Sequence, residues 1–385
     1  MSDRLRPALF QLLRWRYALL WAWVVFAAGR KPFLGIDWDW FKVGTDLLFR
    51  GSHPSADGPG GLHVYATEPF LHMGPPSLVA AEAVRGIYPG DGRIGAVLLM
   101  CALGPVVVLV AERAAVRARG LRDALDEPLL AVVTLVSGAA FLYFWVEATW
   151  AWGRIDEFMA IGGAAAALWF IVHRNPILAG VAVGLSIGAK SWAVFLLPVL
   201  AGLPWRHALR AGAVALAVAA AMWLPFLLAD SGTIDALQAT EGVRVRPASG
   251  AHVLGIELGA IPDWLRPVQA AVALALAVLA VVRGRWAAAL LLAVAARLAL
   301  DPSVLTYYAA ALLFAALVWD LLGSRLPLPI WGVATFAVFY GVARVFEDPQ
   351  AQGLAQIAIV IAASVVVLGA PKAWLRRAQP SATPT

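Results

Sequence analysis

The stretch AGVAVGLSIGAKSWAVFLLPVLAGLPW, residues 179–205, consists of two apolar runs separated by a single lysine, Lys190. Similar apolar runs recur along the whole chain, which has 385 residues, of which 61% are hydrophobic and only 14% are charged. The mean hydropathy is +0.77. A water-soluble domain does not need so much apolar surface, so the composition predicts an all-α protein that crosses a membrane many times.

The apolar runs give twelve candidate membrane spans, because a helix of about 20 apolar residues crosses the hydrocarbon core of a bilayer. They are residues 17–34, 92–112, 128–147, 157–172, 176–189, 191–204, 208–229, 267–283, 286–299, 305–322, 327–345 and 353–370. Residues 76–89 are also helix-like but include Glu82 and Arg85, so we expect this segment to lie on the membrane surface. The first run follows basic residues as in a signal peptide, yet the many later spans favour an uncleaved first helix.

The distribution of charged residues predicts the orientation. With the N-terminus in the cytoplasm, short cytoplasmic segments hold 17 of the 30 Lys and Arg residues, as the positive-inside rule requires. In this arrangement six acidic residues lie inside, namely Asp3, Glu112, Asp123, Asp126, Glu127 and Asp320. We therefore expect a single domain, residues 1–375, in the plasma membrane, with both termini cytoplasmic and a cytoplasmic tail at 376–385. Long loops at about 35–91 and 230–266 then face outward.

Several classes of function are disfavoured by what the sequence lacks. The basic residues are scattered at helix ends, so membrane topology explains the net charge of +6 better than nucleic-acid binding. The single cysteine, Cys101, excludes an intrachain disulfide. No Walker motif, Gly-rich phosphate loop or zinc spacing is present, so any chemistry is expected at the outer face. His53, His63 and His72 share the first outer loop with acids, but their spacing does not favour a metal site.

The first outer loop begins with GIDWDWFKVGTDLLFRG, residues 35–51, in which Asp37 and Asp39 stand among tryptophans. One interpretation is an interfacial helix, with its acids facing water and its tryptophans in the aromatic belt. The other is a carboxylate held at the membrane boundary as a general base for an acceptor hydroxyl. On a helix the two acids lie on different faces, so only one of them can point into a site.

Several motifs, taken in order, resemble those of GT-C glycosyltransferases, and most closely glycosyltransferase family 87 (also called DUF2029), which is polyprenyl-phosphate-mannose-dependent mannosyltransferase-like. The resemblance covers about residues 15–325. It rests on an Asp followed by LLxxG (Leu47, Leu48 and Gly51), the acidic pair in WGRIDEFMAIGG (152–163), the stretch 179–205, and ARLALDPSVLTYYAAALLFAALVWD (296–320). One departure is LHMGPPSL (71–78), which has His72 near the position of the family's usual tyrosine.

This resemblance implies that a sugar, with mannose favoured, passes from a polyprenyl-phosphate donor to a hydroxyl of a glycolipid, glycan or protein acceptor. The transfer would be one inverting displacement at the outer face of the bilayer, without a metal or other cofactor. Asp37 is the expected general base and Asp39 the reserve. The residues expected to contact substrate are Tyr65, His72, Asp156, Glu157, Asp301, Tyr307 and Tyr308.

The departing phosphate needs positive partners, for which we predict Lys190, Arg244, Arg246 and His252. Lys190 lies between two short apolar helices, where an ionisable residue is a functional candidate, although it could simply snorkel to the interface. Arg244, Arg246 and His252, in EGVRVRPASGAH (241–252), could equally be solvated loop residues. Arg297 is expected to pair with an acid such as Asp301.

Two other classes of function remain open at this point. A transporter or flippase would show internal repeats and polar breaks at mid-membrane, whereas here no repeat is visible and the polar residues lie near one face. A non-catalytic scaffold would not need acids and cations gathered on outer loops. Glycosyl transfer is therefore the favoured interpretation.

Overall fold

The computed structural model describes residues 5–238, 243–303, 305–324 and 328–369. The predicted cytoplasmic tail at 376–385 lies outside these ranges. As the composition predicts, the described chain is almost entirely helical. The strands within these ranges are β1 (Arg244–Val245) and β2 (Gly259–Ala260), which pair antiparallel in the second long loop.

The α-helices follow the apolar and amphipathic stretches of the sequence. They are α1 (Leu5–Arg14), α2 (Arg16–Ala28), α3 (Trp38–Arg50), α4 (Val64–Thr67), α5 (Pro75–Ile87), α6 (Arg93–Ala118), α7 (Pro128–Val146), α8 (Ile155–Val172), α9 (Pro176–Ala189), α10 (Trp205–Ala229), α11 (Gly232–Gln238), α12 (Gly250–Val253), α13 (Leu265–Val282), α14 (Ala289–Ala299), α15 (Ala309–Val318), α16 (Ile330–Phe336), α17 (Ala343–Val345) and α18 (Pro349–Gly369).

Other helical geometries connect these elements. The 3₁₀ segments are Gly61–His63, Ala124–Asp126, Ser191–Gly202, Trp286–Ala288 and Thr306–Tyr308. The π-helical segments are Glu147–Ala151, Trp319–Gly323 and Ala337–Val342.

Among the described residues, seven helices are long and apolar enough to cross a membrane. They are Arg93–Ala118, Pro128–Ala151, Ile155–Val172, Trp205–Ala229, Leu265–Val282, Thr306–Gly323 and Pro349–Gly369. Shorter apolar helices of 10–17 residues are Arg16–Ala28, Pro176–Ala189, Ser191–Gly202, Trp286–Ala299 and Ile330–Val342. Each predicted span overlaps one of these helices, and the pattern is typical of a multi-pass membrane protein.

The first span is shorter than predicted. Helix α2 begins at Arg16, one residue before the predicted start, but ends at Ala28, well before residue 34. Arg16 is buried, and its Nε and Nη2 donate to the two carboxylate oxygens of Glu112 at 2.8 and 2.7 Å. Glu112 was counted among the cytoplasmic acids, as the last residue of the predicted span 92–112, but it is fully buried inside α6. The bidentate pair explains this difference, because each charge satisfies the other away from water.

Asp320, which was likewise counted among the cytoplasmic acids near the end of the predicted span 305–322, is also buried. Its carboxylate accepts hydrogen bonds from Ser137 Oγ at 2.9 Å and from the backbone N of Gly332 at 2.8 Å. It also accepts from the backbone N of Trp331 at 3.2 Å. The carboxylate therefore caps the start of α16, where the backbone N–H groups of a helix have no partners within the helix.

The first long loop takes part in a second, smaller hydrophobic cluster, in which α3 packs against α5 and which also includes residues of α6, α8 and α10. Trp38 is fully buried there and donates from Nε1 to the carbonyl of Asp91 at 2.9 Å, so placing Trp38 in the aromatic belt was wrong. Trp40 is 42% exposed. The predicted helical segment 76–89 corresponds to α5, which spans Pro75–Ile87. Two amphipathic helices that bury their apolar faces against each other leave their charged faces to water.

Candidate functional site

Asp37 immediately precedes α3 and is fixed in place by its backbone. Its N–H donates to the carbonyl of Trp152 at 2.9 Å, and the N–H of Gly35 donates to the carbonyl of Trp150 at 2.8 Å. Gly153 has φ of +69°, and a Cβ there would lie 2.9 Å from Gly35 Cα. Only glycine allows this close approach at positive φ. The start of the first outer loop is thereby held against the residues that lead into α8.

Asp37 belongs to a network of charged side chains that comes from three distant parts of the chain. Arg154 donates from Nη1 to Asp37 Oδ2 at 2.8 Å and from Nη2 to Asp156 Oδ2 at 3.2 Å. Lys190 donates to the same oxygen of Asp156, and its Nζ lies 3.8 Å from Glu157 Oε1. We call this group the Asp37 cluster; it comprises Asp37, Arg154, Asp156, Glu157, Lys190 and Trp192, whose Nε1 donates to Glu157 Oε2 at 2.9 Å.

Three buried polar atoms of this cluster have no hydrogen-bond partner in the described part of the chain. They are Arg154 Nε, Asp156 Oδ1 and Glu157 Oε1. Buried polar atoms in folded proteins are nearly always hydrogen-bonded. The Asp37 cluster therefore has hydrogen-bonding capacity that the protein does not use itself.

Exposure separates Asp37 from the other two carboxylates. The Asp37 side chain is 14% exposed, whereas Asp156 is fully buried and Glu157 is 1% exposed. Burial raises the pKa of Asp37 above its ordinary value, although attraction to the Arg154 guanidinium opposes the shift. Asp37 is thus the carboxylate of the cluster that a ligand can reach, and its pKa is shifted towards the range useful for a general base.

Asp39 has a different environment. Its side chain is 62% exposed and accepts hydrogen bonds from Arg93 Nη2 at 2.7 Å and from Lys42 Nζ at 3.3 Å. Partial burial by itself would raise the pKa of Asp39, but the hydrogen bond from Lys42 and the charge of Arg93 lower it below its ordinary value. The two acids therefore have separate partners, and Asp39 is not part of the Asp37 cluster.

Two tyrosines extend the site beyond the cluster. The Arg154 guanidinium lies 5.1 Å from the centre of the Tyr307 ring, and that ring meets Tyr308 edge-on at 4.5 Å. Arg297 stacks over Tyr308 at 4.7 Å. Arg297 Nη2 lies 3.7 Å from Asp301 Oδ2, which confirms the predicted pair. Asp301 also pairs at 3.4 Å with Nη1 of Arg266, which is 32% exposed.

The loop that carries His72 is attached to the end of α9. The N–H of Gly74 donates to the carbonyl of Ala189 at 2.9 Å, and a Cβ on Gly74 would lie only 1.6 Å from the carbonyl oxygen of Gly188. Lys190 follows in an extended conformation, with φ of −148° and ψ of 127°, before the 3₁₀ segment begins. This contact places the first outer loop directly beside the lysine of the cluster.

His72 is exposed on the first outer loop, close to the cations of the Asp37 cluster. Loss of solvation, followed by repulsion from Lys190 and Arg154, lowers the pKa of His72 to about 4. The ring is therefore neutral at physiological pH. It can exchange hydrogen bonds with a ligand but does not supply positive charge.

The other residues predicted from sequence lie apart from the Asp37 cluster. Tyr65 is 1% exposed and donates its hydroxyl to the carbonyl of Met73 at 3.0 Å, so it supports the loop and is not open to a substrate. Arg244 is exposed on β1. The Nδ1 atom of His252 lies 3.0 Å from the carbonyl oxygen of Ile256. Arg246 lines a cavity bordered by Tyr308.

Sequence reasoning missed several residues of the site. Arg154 stands immediately before the acidic pair in WGRIDE, and a search for a counter-charge to two acids at a helix start would have found it. Glu147 pairs with Lys31 and accepts a hydrogen bond from Thr306 Oγ1 at 3.0 Å. It stands in a π-helical turn, a geometry that often marks functional positions, but nothing in the sequence signals it.

Two cavities border this region. The first is an apolar groove of about 620 Å³ between the outer-loop helices α3 and α5 and the helices α8, α9 and α10. Its lining includes Pro76, near Gly188, and Met159, one helical turn after Asp156. The second has a volume of about 360 Å³ and lies beside Tyr308 and the start of α18. Both volumes suit small-molecule or lipid-chain ligands.

Among the described residues, no group of three or more His, Cys, Asp or Glu side chains could hold a metal ion. His63 Nδ1 instead lies 2.9 Å from Asp230 Oδ2, and His53 Nδ1 lies 2.8 Å from Ser55 Oγ. No family model, no curated protein and no solved structure matches the chain. The resemblance to GT-C glycosyltransferases thus rests on the sequence motifs and stays a prediction.

Proposed function

We propose that the protein is an inverting glycosyltransferase of the GT-C type, with Asp37 as its general base. The observation that carries this proposal is the Asp37 carboxylate, which is partly exposed at the edge of a buried charge cluster and has a raised pKa. The donor is a sugar on polyprenyl phosphate, with mannose favoured. The acceptor is a hydroxyl of a glycolipid, glycan or protein.

In this mechanism the acceptor hydroxyl gives its proton to Asp37 as its oxygen attacks the anomeric carbon. The bond between that carbon and the phosphate oxygen breaks, and polyprenyl phosphate leaves with the electron pair. Oδ2 of Asp37 is occupied by Arg154, so Oδ1 is the atom that takes the proton. Arg154 orients the base, as the partner of a catalytic acid or base commonly does.

Positive charge for the leaving phosphate comes from three side chains around the carboxylates. Arg266 and Arg297 share Asp301, and Nη1 of Arg297 is buried without a hydrogen-bond partner in the described chain. Lys190 is 6% exposed and contributes its positive charge while paired with Asp156. Cations fixed before the reaction stabilise the charge that develops on a leaving group.

The apolar groove of about 620 Å³ is the proposed site of the prenyl chain. It is lined by Pro75 and Pro76, which follow Gly74 at the contact with Gly188, two residues before Lys190 in the chain. An isoprenoid chain buries its surface in such a groove and leaves the phosphosugar at the charged end.

The membrane arrangement is part of the proposal. Twelve spans, both termini in the cytoplasm and a location in the plasma membrane place the Asp37 cluster at the outer face. The donor then binds at the outer interface, with its prenyl chain in the bilayer and its phosphosugar headgroup in water. Support comes from the excess of Lys and Arg in the short cytoplasmic links.

A transporter or flippase is the second candidate, and one observation favours it. Arg16, Glu112 and Asp320 are buried inside apolar helices, where ionisable residues often mark a transport path. Their hydrogen bonds are made to partners within the protein, however, as in structural contacts. Movement of a labelled polyprenyl-phosphate sugar across liposomes without its consumption would favour the transporter.

The test of the proposed activity is consumption of the donor. Membranes from a host that expresses the protein are given radiolabelled mannosyl-phosphoryl-polyprenol, and the label is followed into acceptor material by chromatography. We expect transfer that depends on the expressed chain and is lost in Asp37→Asn. An unchanged donor pool in wild-type membranes from several hosts would contradict the proposal.

A further inference from the structure

The cavity of about 360 Å³ has a lining unlike that of the apolar groove. Polar side chains converge on it from the second long loop, the segment before α15 and the start of α18, and they are Arg246, Ser303, Thr306, Tyr308, Gln352 and Gln356. Apolar residues such as Leu298 and Phe339 complete the wall. A few convergent polar groups on an apolar wall are typical of a site for a small ligand.

Arg246 is the charged residue of this lining. Its guanidinium has no ion-pair or hydrogen-bond partner within the described residues, whereas Arg154, Arg266 and Arg297 all pair with carboxylates. The backbone N–H of Arg246 donates to the carbonyl of Pro302 at 2.9 Å, which fixes this loop residue beside Ser303. A guanidinium held at a cavity and not neutralised by the protein suits an anionic group, which it can bind through two parallel N–H donors.

The remaining polar residues suit hydroxyl groups. Gln352 and Gln356 each carry an amide that both donates and accepts, and they lie one helical turn apart at the start of α18. Ser303 and Thr306 donate their hydroxyl protons to Asp301 and Glu147, at 2.9 and 3.0 Å, so both oxygens remain free to accept. The ring of Tyr308 supplies a flat apolar face. A polyhydroxylated ring with one negative charge matches this set.

We propose that this cavity binds an anionic sugar, carrying either a carboxylate or a phosphate, and that this sugar belongs to the acceptor. The inference rests on the proposed glycosyl transfer and replaces the role in donor-phosphate binding predicted for Arg246. The geometry connects the two sites, since Tyr308 meets Tyr307, whose ring lies under the Arg154 guanidinium that holds Asp37. The volume accommodates a single substituted sugar ring and not a long glycan.

The test measures binding of four probes to the full-length protein in detergent, by ligand-observed NMR. The probes are methyl glucuronide, mannose phosphate, neutral methyl glucoside and farnesyl phosphate. We expect at least one anionic sugar to bind at least about tenfold more tightly than the neutral glucoside, as a charge-assisted hydrogen bond allows. The stronger of the two anionic probes identifies the charged group as a carboxylate or a phosphate.

Arg246→Gln should reduce binding of the anionic sugar to the level of the glucoside. Arg344→Gln is the matched control, because Arg344 stacks on Tyr340 at 4.2 Å in the same region but does not line the cavity. Equal binding of charged and neutral sugars, or an Arg246→Gln variant that keeps the preference, would overturn the inference. Displacement of the sugar by a lower concentration of farnesyl phosphate would also overturn it, in favour of a donor site.

The two experiments can fail separately. Binding of an anionic sugar with no donor consumption would keep the cavity as an anionic-sugar site but remove the glycosyltransferase, and with it the acceptor role of that sugar. Donor consumption with no preference for anionic sugars would support the glycosyltransferase and remove the anionic-sugar site.

Discussion

Arg154 donates a hydrogen bond of 2.8 Å from Nη1 to Oδ2 of Asp37, although the two residues are 117 positions apart in the chain. Arg154 is buried, and its second amino group contacts Asp156. One guanidinium therefore joins the carboxylate at the edge of the cluster to Asp156 at the start of α8. A side chain in this position controls both the orientation and the charge of Asp37.

Removal of Arg154 should change the pH dependence of activity. Burial already raises the pKa of Asp37, and the Arg154 charge opposes that rise. In Arg154→Gln the pKa of Asp37 should rise further, so the base becomes protonated at a higher pH. The acidic limb of the pH–rate profile is expected to move to higher pH, measured as the rate of donor consumption in reconstituted vesicles.

Arg154→Lys is the control for this prediction, because it keeps the positive charge and should leave the limb closer to that of the wild type. Thermal unfolding in detergent shows whether each variant is folded. An acidic limb that stays in place, or moves to lower pH, in a folded Arg154→Gln protein would contradict the role given to Arg154.

Lys190 should contribute to stability as well as to turnover. It is buried against Asp156, and removal of one partner from a buried ion pair costs about 3–5 kcal/mol. Lys190→Met should therefore unfold at a lower temperature in detergent. The double variant Lys190→Met with Asp156→Asn should recover part of this loss, since Asp156 then carries no charge that needs Lys190, while Glu157 still loses its contact with Lys190 and Arg154 keeps only Asp37.

The folded double variant then reports on the donor phosphate. If Lys190 contributes to phosphate binding, the KM for the donor stays raised although part of the stability has returned. A normal donor KM in the double variant would reduce Lys190 to a counter-ion of Asp156. Lys190→Arg should not restore full activity, because the guanidinium is larger and planar.

Gly74 should be intolerant of substitution. A Cβ at this position would lie 1.6 Å from the carbonyl oxygen of Gly188, so Gly74→Ala must push the His72 loop away from Lys190. We expect a loss of about 1–3 kcal/mol of stability, as for other overpacked sites, and a large loss of activity. Circular dichroism melting in detergent and the donor assay measure the two effects.

Gly86→Ala is the matched control in α5, the helix that follows Gly74. No atom lies within 4 Å of a Cβ at Gly86, and alanine favours helix over glycine by up to about 1 kcal/mol. This variant should be as stable as the wild type or slightly more stable. Equal effects of the two substitutions would show that the contact between Gly74 and Gly188 is not required.

The sequence predicted the helices well because each apolar run needs only its own composition to indicate a helix in a membrane. It also predicted the pair of Arg297 and Asp301, which are four residues apart, with Arg297 in the last turn of α14 and Asp301 two residues after its end. Contacts between distant segments were not predictable in this way. Glu112 and Arg16 are separated by 96 positions, and each alone looks like a residue at the end of a span.

In the candidate site, too, contacts between distant segments were not predictable from the sequence. Asp37, Asp156 and Lys190 were each selected from sequence, but the arginine that joins two of them became apparent only once the backbone contact between Asp37 and Trp152 was known. Tyr65 was selected from its position in the loop, and its burial between the rings of Trp223 and Phe226 could not be read from the sequence.

Labelling of introduced cysteines should establish the orientation. Cys101 is buried and should not react with a membrane-impermeant maleimide. Leu258→Cys, at a site that is 54% exposed in the second long loop, should be labelled in intact cells. Arg122→Cys, in the link between α6 and α7, should be labelled only after the membrane is opened. The reverse pattern would invert the topology and place the Asp37 cluster in the cytoplasm.

The most direct test of the central claim is the turnover of labelled polyprenyl-phosphate mannose by Asp37→Asn beside Asp39→Asn. Asparagine keeps the shape of Asp37 but cannot take a proton, and loss of a general base costs about 10²–10⁴-fold in rate. We expect Asp37→Asn to fold, bind the donor and lose activity by that factor, while the exposed Asp39→Asn variant loses little. Near-normal turnover in a folded Asp37→Asn protein would contradict the account.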